Sequence, residues 1–303
     1  WHMLTTGFED TSRLQEHTWE MVLDWLGAGL DPARSVIFVQ SAVKEHAELH
    51  LLLSMLVSKA RLERIPTLKD QIRDLGLDEA TIAYGHLGYP VLQSADILLY
   101  RATHVPVGED QVPHVELTRE LARKFNFHYC QDRAPVFIEP EPQVTAFGRL
   151  RGVDGKRMSK SLGNTIMLAE EPQGIADKVK LAYTDPKKLR LADPGRPEAD
   201  DSDGHPGCVV WEYHRRFNPA EADAIATQCR AGQLGCVADK KRLAEVMNTE
   251  LAPIRERRQR WEKDPDAVRD VLREGTKRAR EVARETMEAV RSAMGVKSVV
   301  EPQ

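Results

Sequence analysis

Strand-like and helix-like stretches alternate through the first part of this chain and then stop alternating. That change of pattern limits what the chain can fold into. Residues 34–39 read RSVIFV, an apolar β-branched run after Asp31-Pro32, which predicts a buried parallel strand. Residues 45–64 follow with Leu49, Leu52, Leu53, Leu56 and Val57 on one helical face. Residues 103–107 predict another strand. A helix then starts at Asp110 and runs to Phe125, with Val115, Leu117, Leu121 and Ala122 on its apolar side. Strands alternating with helices predict an α/β domain with a doubly wound parallel sheet. Residues 192–207, rich in Asp, Pro and Gly, read as a flexible loop. Beyond them nothing reads as a strand. Residues 238–261 and 266–294 predict two long helices, the second with Val268, Val271, Leu272, Ala279, Val282, Ala283, Val290 and Met294 near helical spacing. The chain therefore ends in an all-helical part, and no internal repeat is visible.

A chain of 303 residues buries a full core and accommodates two domains. Its 41% hydrophobic and 30% charged content is that of an ordinary soluble globular protein. No apolar run reaches bilayer length, and the opening residues lack a basic region followed by an apolar one, so a cytoplasmic location is expected. A net charge of −4 argues against a generally basic nucleic-acid binder. Residues 186–303 are nevertheless net positive and the remainder net negative, which would draw a polyanion to the C-terminal part.

The strongest chemical signal is the heptamer Gly155-Lys156-Arg157-Met158-Ser159-Lys160-Ser161. Gly155 lets the backbone turn tightly. Lys156, Arg157 and Lys160 supply cations, and Ser159 and Ser161 supply small donors. Such a loop neutralises charge that builds on phosphate oxygens during nucleotidyl transfer. A basic, solvated surface turn is the plainer reading of the same residues. Followed by Leu162-Gly163-Asn164, RMSKS resembles the KMSKS signature of class I aminoacyl-tRNA synthetases, with Arg157 in place of the first lysine. Residues 89–100 (YPVLQSADILLY) and 105–126 (VPVGEDQVPHVELTRELARKFN) narrow this to a resemblance to the tryptophanyl-tRNA synthetases. The likeness continues through LAPIRERR at 251–258 and covers nearly the whole chain.

Tyr89, Gln93 and Asp96 fall at i, i+4 and i+7 and share one helix face. A polar stripe in an otherwise apolar segment needs partners. Asp96 can accept from an indole N–H, which only donates, and a phenyl ring would leave that buried carboxylate unpaired. The resemblance implies that Asp96 selects tryptophan, that Tyr89 and Gln111 hold its amino or carboxylate group with His2 close to the same end, and that Val105 and Val107 also line the pocket. Gln93 adds a hydrogen-bonding group to the pocket floor. It either admits oxygenated indoles or only orients Asp96 or Tyr89. A Gln-x-x-Asp pair after Tyr-Pro also occurs in tyrosyl-tRNA synthetases, the chief rival. Gly108 and Asp110 join a strand end to a helix start, where α/β sheets bind ligands. Asp110 is either an N-cap or an acceptor for ribose hydroxyls, and the resemblance implies that it takes ATP.

The resemblance further implies a Rossmann-like catalytic domain over residues 1–170, a helical anticodon-binding domain over 171–290, and a tail, 291–303, returning to the catalytic domain. Met158, Ser159 and Lys160 would bind ATP, and Lys160, helped by Lys156 and Arg157, would stabilise the departing pyrophosphate. Mg2+ would ride on the ATP, with tRNA(Trp) as second substrate and a homodimer as the assembly. A HIGH-motif segment is expected ahead of Trp1. The HAELH at 46–50 sits mid-helix and is no substitute. A synthetase-like protein that binds tryptophan without charging tRNA is the reading from another class, and the cationic loop argues against it. Cys208, Cys229 and Cys236 with Asp239 resemble a four-cysteine iron–sulfur motif of some relatives. Asp239 replaces the last thiolate, so no cluster is expected and the thiols are read as a vestigial site. Cys130 lies elsewhere and reads as a small buried residue. Lys240, Lys241, Arg242, Arg255, Arg257, Arg258 and Arg260, with Trp261, read either as a solvated face or as a surface for anticodon-stem phosphates and stacked bases.

Overall fold

The computed structural model describes residues 1–74, 76, 82–145, 150–159, 162–200, 202 and 204–296. The chain groups into two units, each interrupted in sequence: residues 1–19, 31–146 and 266–303 form one, and residues 20–30 and 147–265 the other. These divisions do not fall at 170/171 and 290/291, where the sequence reading places its domains.

The first unit holds α1 (Leu4–Gly7), the start of α2 (Leu14–Ala28), α3 (Glu45–Ser54), α4 (Lys59–Leu62), α5 (Pro66–Asp74) and α6 (Tyr84–Leu98). Then come β1 (His104–Val107), α7 (Val112–Tyr129) and β2 (Glu141–Val144). The two strands pair in parallel, Val105 opposite Pro142 and Val107 opposite Val144, with α7 as the crossover between them. Helix α6 packs on α3 and α7, and Leu49, Leu53, Leu98, Leu117, Leu121 and Phe125 close the core between them. Pro113 near the start of α7 suits a first turn whose N–H groups have no intrahelical acceptor.

In the second unit α8 (Pro172–Lys180) is followed by the two-residue strands β3 (Ala199–Asp200) and β4 (His205–Pro206) and by α9 (Val209–Phe217), α10 (Pro219–Arg230) and α11 (Cys236–Glu262). Helix α11 packs on α8 and α9 around Ile175, Val179, Val210, Tyr213, Leu243 and Met247. The last helix, α12 (Pro265–Met294), lies almost wholly in the first unit. Its Ala279, Ala283, Met287 and Val290 join the core of α3 and α6.

Several expectations need correction. Residues 34 and 35 belong to a turn closed on the Asp31 carbonyl, and residues 36–39 pair with no strand among the described residues, so the run forms no sheet ladder. Instead α12 closes on them at Gly275, where a Cβ would stand 1.9 Å from the Ile37 carbonyl oxygen. Residues 45–64 are two helices: the first ends at Ser54, and Ser58 caps the second, its Oγ accepting from Arg61 N–H at 3.3 Å. The loop at 192–207 carries a short antiparallel pair, Asp200 with His205. No helix is long and apolar enough to cross a membrane, among the described residues.

Candidate active site

Helix α6 turns Tyr89 and Gln93 to one side, and the first turn of α7 presents Gln111 and His114. The other three meet on the His114 imidazole, which is fully buried. His114 Nδ1 lies 2.8 Å from Gln93 Oε1 and 3.0 Å from Gln111 Oε1. Its Nε2 lies 2.6 Å from Thr67 Oγ1 and 3.2 Å from the Tyr89 hydroxyl, with the two rings edge to face. Burial lowers the His114 pKa to about 4, partly countered by the charge of Asp110, so the ring is neutral at pH 7. A neutral ring carries one hydrogen. Two amide oxygens face Nδ1, so the hydrogen sits there, and the Nε2 lone pair accepts from the hydroxyls. Burial also raises the Tyr89 phenol, against a hydrogen bond with Thr67.

Three residues along α6, Asp96 is half-buried and takes its own set of donors. Gln40 Nε2 donates to both carboxylate oxygens, at 2.7 and 2.9 Å, and His2 Nε2 bonds Oδ2 at 2.9 Å. His46 Nδ1 donates toward the carbonyls of Gln40 and Val43, and its Nε2 stands 3.8 Å from Asp96 Oδ1. Among the described residues no arginine pairs with Asp96, and acceptor capacity remains on Oδ1 for a further N–H. His2 sits on Asp96 rather than on Tyr89 or Gln111. Behind His46, Phe38 and Tyr100 pack edge to face at 5.3 Å, and burial pushes the Tyr100 phenol strongly up. His50 is lowered by burial.

Strand β1 turns half-buried Val105 and Val107 to the same face. The chain then passes through Gly108 into a 3-10 turn, Glu109–Gln111. A Cβ on Gly108 would stand 2.7 Å from Asp110 Oδ1. Asp110 is exposed and accepts from Gln111 Nε2 at 3.2 Å. It lies inside the turn, and the capping positions belong to Gly108 and Gln111.

In the second unit the cationic heptamer follows a hairpin. Arg151 bridges Arg157, Gly152 N–H donates to the Lys156 carbonyl, and Gly155 N–H closes the turn on the Gly152 carbonyl. Gly155 has φ 82°, the left-handed residue of a three-residue hairpin loop. Asp154 Oδ1 accepts from Lys156 N–H at 3.0 Å, and that bond holds its carboxyl below the usual range. Asn164, 3% exposed, ties the loop together. Its Oδ1 accepts from Ser159 N–H at 2.8 Å, and its Nδ2 donates to Asp154 Oδ1 and the Arg157 carbonyl at 2.8 and 3.0 Å. A Cβ on Gly152 would lie 2.4 Å from this amide. Arg151 pairs with Glu212 at 2.6 Å, and the Tyr213 hydroxyl donates to the Arg151 carbonyl, so α9 anchors the hairpin. Lys156 and Arg157 are exposed, while Met158 packs on the second core. Lys160 and Ser161 lie outside the described residues.

Residues 2–252 match the family model of the class I tRNA synthetases (W and Y). The chain belongs to this family. Over 298 residues it is 48% identical to a tryptophan–tRNA ligase of Thermotoga maritima, covering 98% of this chain and 87% of that protein. The corresponding ligase of Ralstonia nicotianae is 38% identical over 363 residues, with 98% and 88% covered. Among solved structures, the tryptophanyl-tRNA synthetase of Campylobacter jejuni complexed with ADP and tryptophan superposes with a TM-score of 0.78 at 30% identity, covering 97% of this chain and 87% of that one. The fold is therefore the Rossmann-like class I catalytic fold with a helical domain.

In this synthetase Cys208, Cys229, Cys236 and Asp239 line one small cavity of the second unit. They do not make a four-thiolate set. Asp239 Oδ1 stands 3.2 Å from Nε2 of the fully buried His214. Burial pushes the Cys208 thiol up to about 11 and raises Cys229 as well, so both are protonated at neutral pH. Among the described residues no group of three such side chains is placed to hold a metal ion. Cys130 is buried. The basic residues of α11 are largely occupied. Arg258, nearly buried, binds Glu20, Asp24 and Glu262, so it is no part of a solvated face. Gly27, lacking a Cβ, makes room for it. Arg257 Nε donates to the Gly27 carbonyl at 2.7 Å, and Lys240 Nζ to the Lys180 carbonyl at 3.0 Å.

The sequence reading named Tyr89, Gln93, Asp96 and Gln111 but not their hydrogen-bond partners His114, Thr67 and Gln40, nor Asn164 in the cationic loop. His114 is one helical turn beyond Gln111, a spacing that puts both on one face of α7. Gln40 had no comparable signal, because it reaches Asp96 from a segment far away in sequence.

Proposed function

We propose that this synthetase activates tryptophan with ATP, giving tryptophanyl-adenylate and pyrophosphate, and passes the aminoacyl group to the terminal adenosine of tRNA(Trp). The tryptophan carboxylate attacks the α-phosphorus in line, and pyrophosphate leaves. No side-chain nucleophile takes part; the protein contributes position and charge. The observation that carries the reading is Asp96, a half-buried carboxylate held by Gln40 and His2 with capacity for one more donor. An indole N–H is such a donor. Tyr89, Gln93 and Gln111 take the amino end, His2 supports Asp96, and Val105 and Val107 contact the ring. Gly108 and Asp110 receive the nucleoside. Lys156, Arg157, Met158, Ser159 and Lys160 serve the polyphosphate, with Lys160 stabilising the departing pyrophosphate and Mg2+ carried by the nucleotide. The C-terminal helices take the anticodon stem, a homodimer forms through the region of α6, and the protein works in the cytoplasm. An iron–sulfur cluster has no part in this reading.

Tryptophan-dependent exchange of pyrophosphate into ATP tests it. Exchange should require tryptophan and be absent with tyrosine. Exchange driven by tyrosine, or binding of tryptophan without any exchange, would sink it.

A further inference from the structure

We infer that His114 is a positioning residue that converts three oxygens around it into an ammonium cradle, and so enforces recognition of a free α-amino group. The inference rests on the functional reading above and deepens it. The argument is one of hydrogen counting. Nδ1–H is shared between Gln93 Oε1 and Gln111 Oε1, at 2.8 and 3.0 Å. That fixes both amides with their oxygens toward one point. Each amide oxygen has two lone pairs, and the imidazole uses one. At the other edge, one Nε2 lone pair faces the hydroxyls of Thr67 and Tyr89, at 2.6 and 3.2 Å. With no hydrogen on Nε2, the Thr67 and Tyr89 hydrogens turn inward, into the imidazole or into each other. The Tyr89 oxygen is left presenting lone pairs. Gln93, Gln111 and Tyr89 thereby all offer acceptors, the complement of an –NH3+ group and the opposite of what a carboxylate needs.

Neutrality matters as much as geometry. An imidazolium here would repel the cation it helps to seat and would donate from both edges, reversing the hydroxyls. Burial keeps the ring uncharged. Gln93 gains a defined part in this arrangement, since its oxygen is committed to His114 and not to the indole side of the pocket.

The test compares two ligands that differ only in the amino group, L-tryptophan and indole-3-propionate, by calorimetry or competition on the purified protein. His114→Leu should weaken tryptophan about 10- to 100-fold, the scale of a lost charge-assisted hydrogen-bond set, and indole-3-propionate less than about twofold. In exchange assays the tryptophan KM should rise with kcat nearly unchanged. His114→Gln, which keeps one N–H and one acceptor, should recover part of the loss. Equal losses for both ligands, or none for tryptophan, would overturn the role of His114 while leaving the functional reading intact. A wild-type protein that does not bind tryptophan strikes the functional reading itself. Histidine 15N shifts of the unaltered protein at pH 7 test the assignment independently of how the variants fold. The Nδ1–H tautomer is expected for His114, and an Nε2–H tautomer or an imidazolium would overturn it.

Discussion

His114 in the first unit and Asn164 in the second do the same kind of work by different routes. Each is a buried polar side chain that spends its hydrogen bonds on neighbours whose outward faces matter. Asn164 gathers Asp154, Arg157 and Ser159, all within ten residues of itself. His114 gathers Thr67, Tyr89, Gln93 and Gln111 from three separate helical elements. Under the proposed function, a local hub shapes a loop whose cations would meet charge that appears during reaction. A non-local hub shapes a pocket that must already fit the ground state. The first should therefore act on rate, the second on binding.

The largest expected effect breaks the comparison on the rate side. Lys160→Ala should slow adenylate formation about 100- to 1000-fold, the usual cost of removing one group that stabilises transition-state charge. Asn164→Ala loosens the loop without removing its cations, so its loss should be smaller. Tryptophan affinity, measured alongside, should stay constant in both. Equal losses in affinity would erase the distinction between the two hubs.

Next comes pH. The folded pKa of His114 is about 4 against an ordinary 6.5, so the unfolded chain binds more protons between those values. Its contribution, roughly 3 kcal/mol, is complete above pH ~6.5 and is lost as pH falls through ~4. The groups facing the ring are Thr67, Tyr89, Gln93 and Gln111, with the charges of Asp110 and His2 nearby. His50 and His86, lowered by burial too, titrate in the same sense. Urea midpoints at pH 7 and pH 4.5 for wild type and His114→Gln isolate its share. An unchanged slope in the variant would mean the ring is not neutral by burial.

Asp96→Ala sharpens the pocket side. Discrimination of tryptophan over phenylalanine in the exchange reaction should fall by ~1–3 kcal/mol, the cost of an unmade buried hydrogen bond. Undiminished discrimination would move the selector elsewhere. The smallest effect is expected at Gly152, where an added Cβ meets the Asn164 amide at 2.4 Å. Gly152→Ala should cost ~1–2 kcal/mol of thermal stability through overpacking, read by calorimetry.

What could be read in the sequence divides along the same line as the two hubs. The tight turn at Gly155 and the Tyr89, Gln93, Asp96 stripe were legible, because a turn and a helix face are set by residues a few positions apart. The strand at residues 104–107 and the helices α7 and α11 followed from local pattern in the same way. What was missed depends on distant partners. Residues 34–39 have the composition of a strand, yet a ladder needs a neighbouring strand and local composition says nothing about one. The break between Ser54 and Ser58 was hidden because Leu56 and Val57 keep the apolar pattern running through it. Arg258 looked like part of a charged face. Only the approach of α2, with Glu20, Asp24 and the bare Cα of Gly27, makes it a buried ion-pair centre. The cysteines fall between these cases. Their spacing pointed to one location and they do share a cavity, but His214 opposite Asp239 carried no signal.

The closure of α12 over Ile37 at Gly275 has a consequence for how the protein is made. The unit that carries Tyr89, Asp96 and His114 is interrupted after residue 146 and is completed only by the helix ending at Met294. On a ribosome adding ~5–20 residues per second, the earlier portion waits roughly 7–30 s for its last structural member. Throughout that interval the surface that α12 later covers, Ile37 among it, faces water. The intervening residues 147–265 emerge as a nearly continuous block and can collapse first. Nascent chains of this synthetase should therefore engage holdase chaperones most strongly in the window before α12 leaves the exit tunnel.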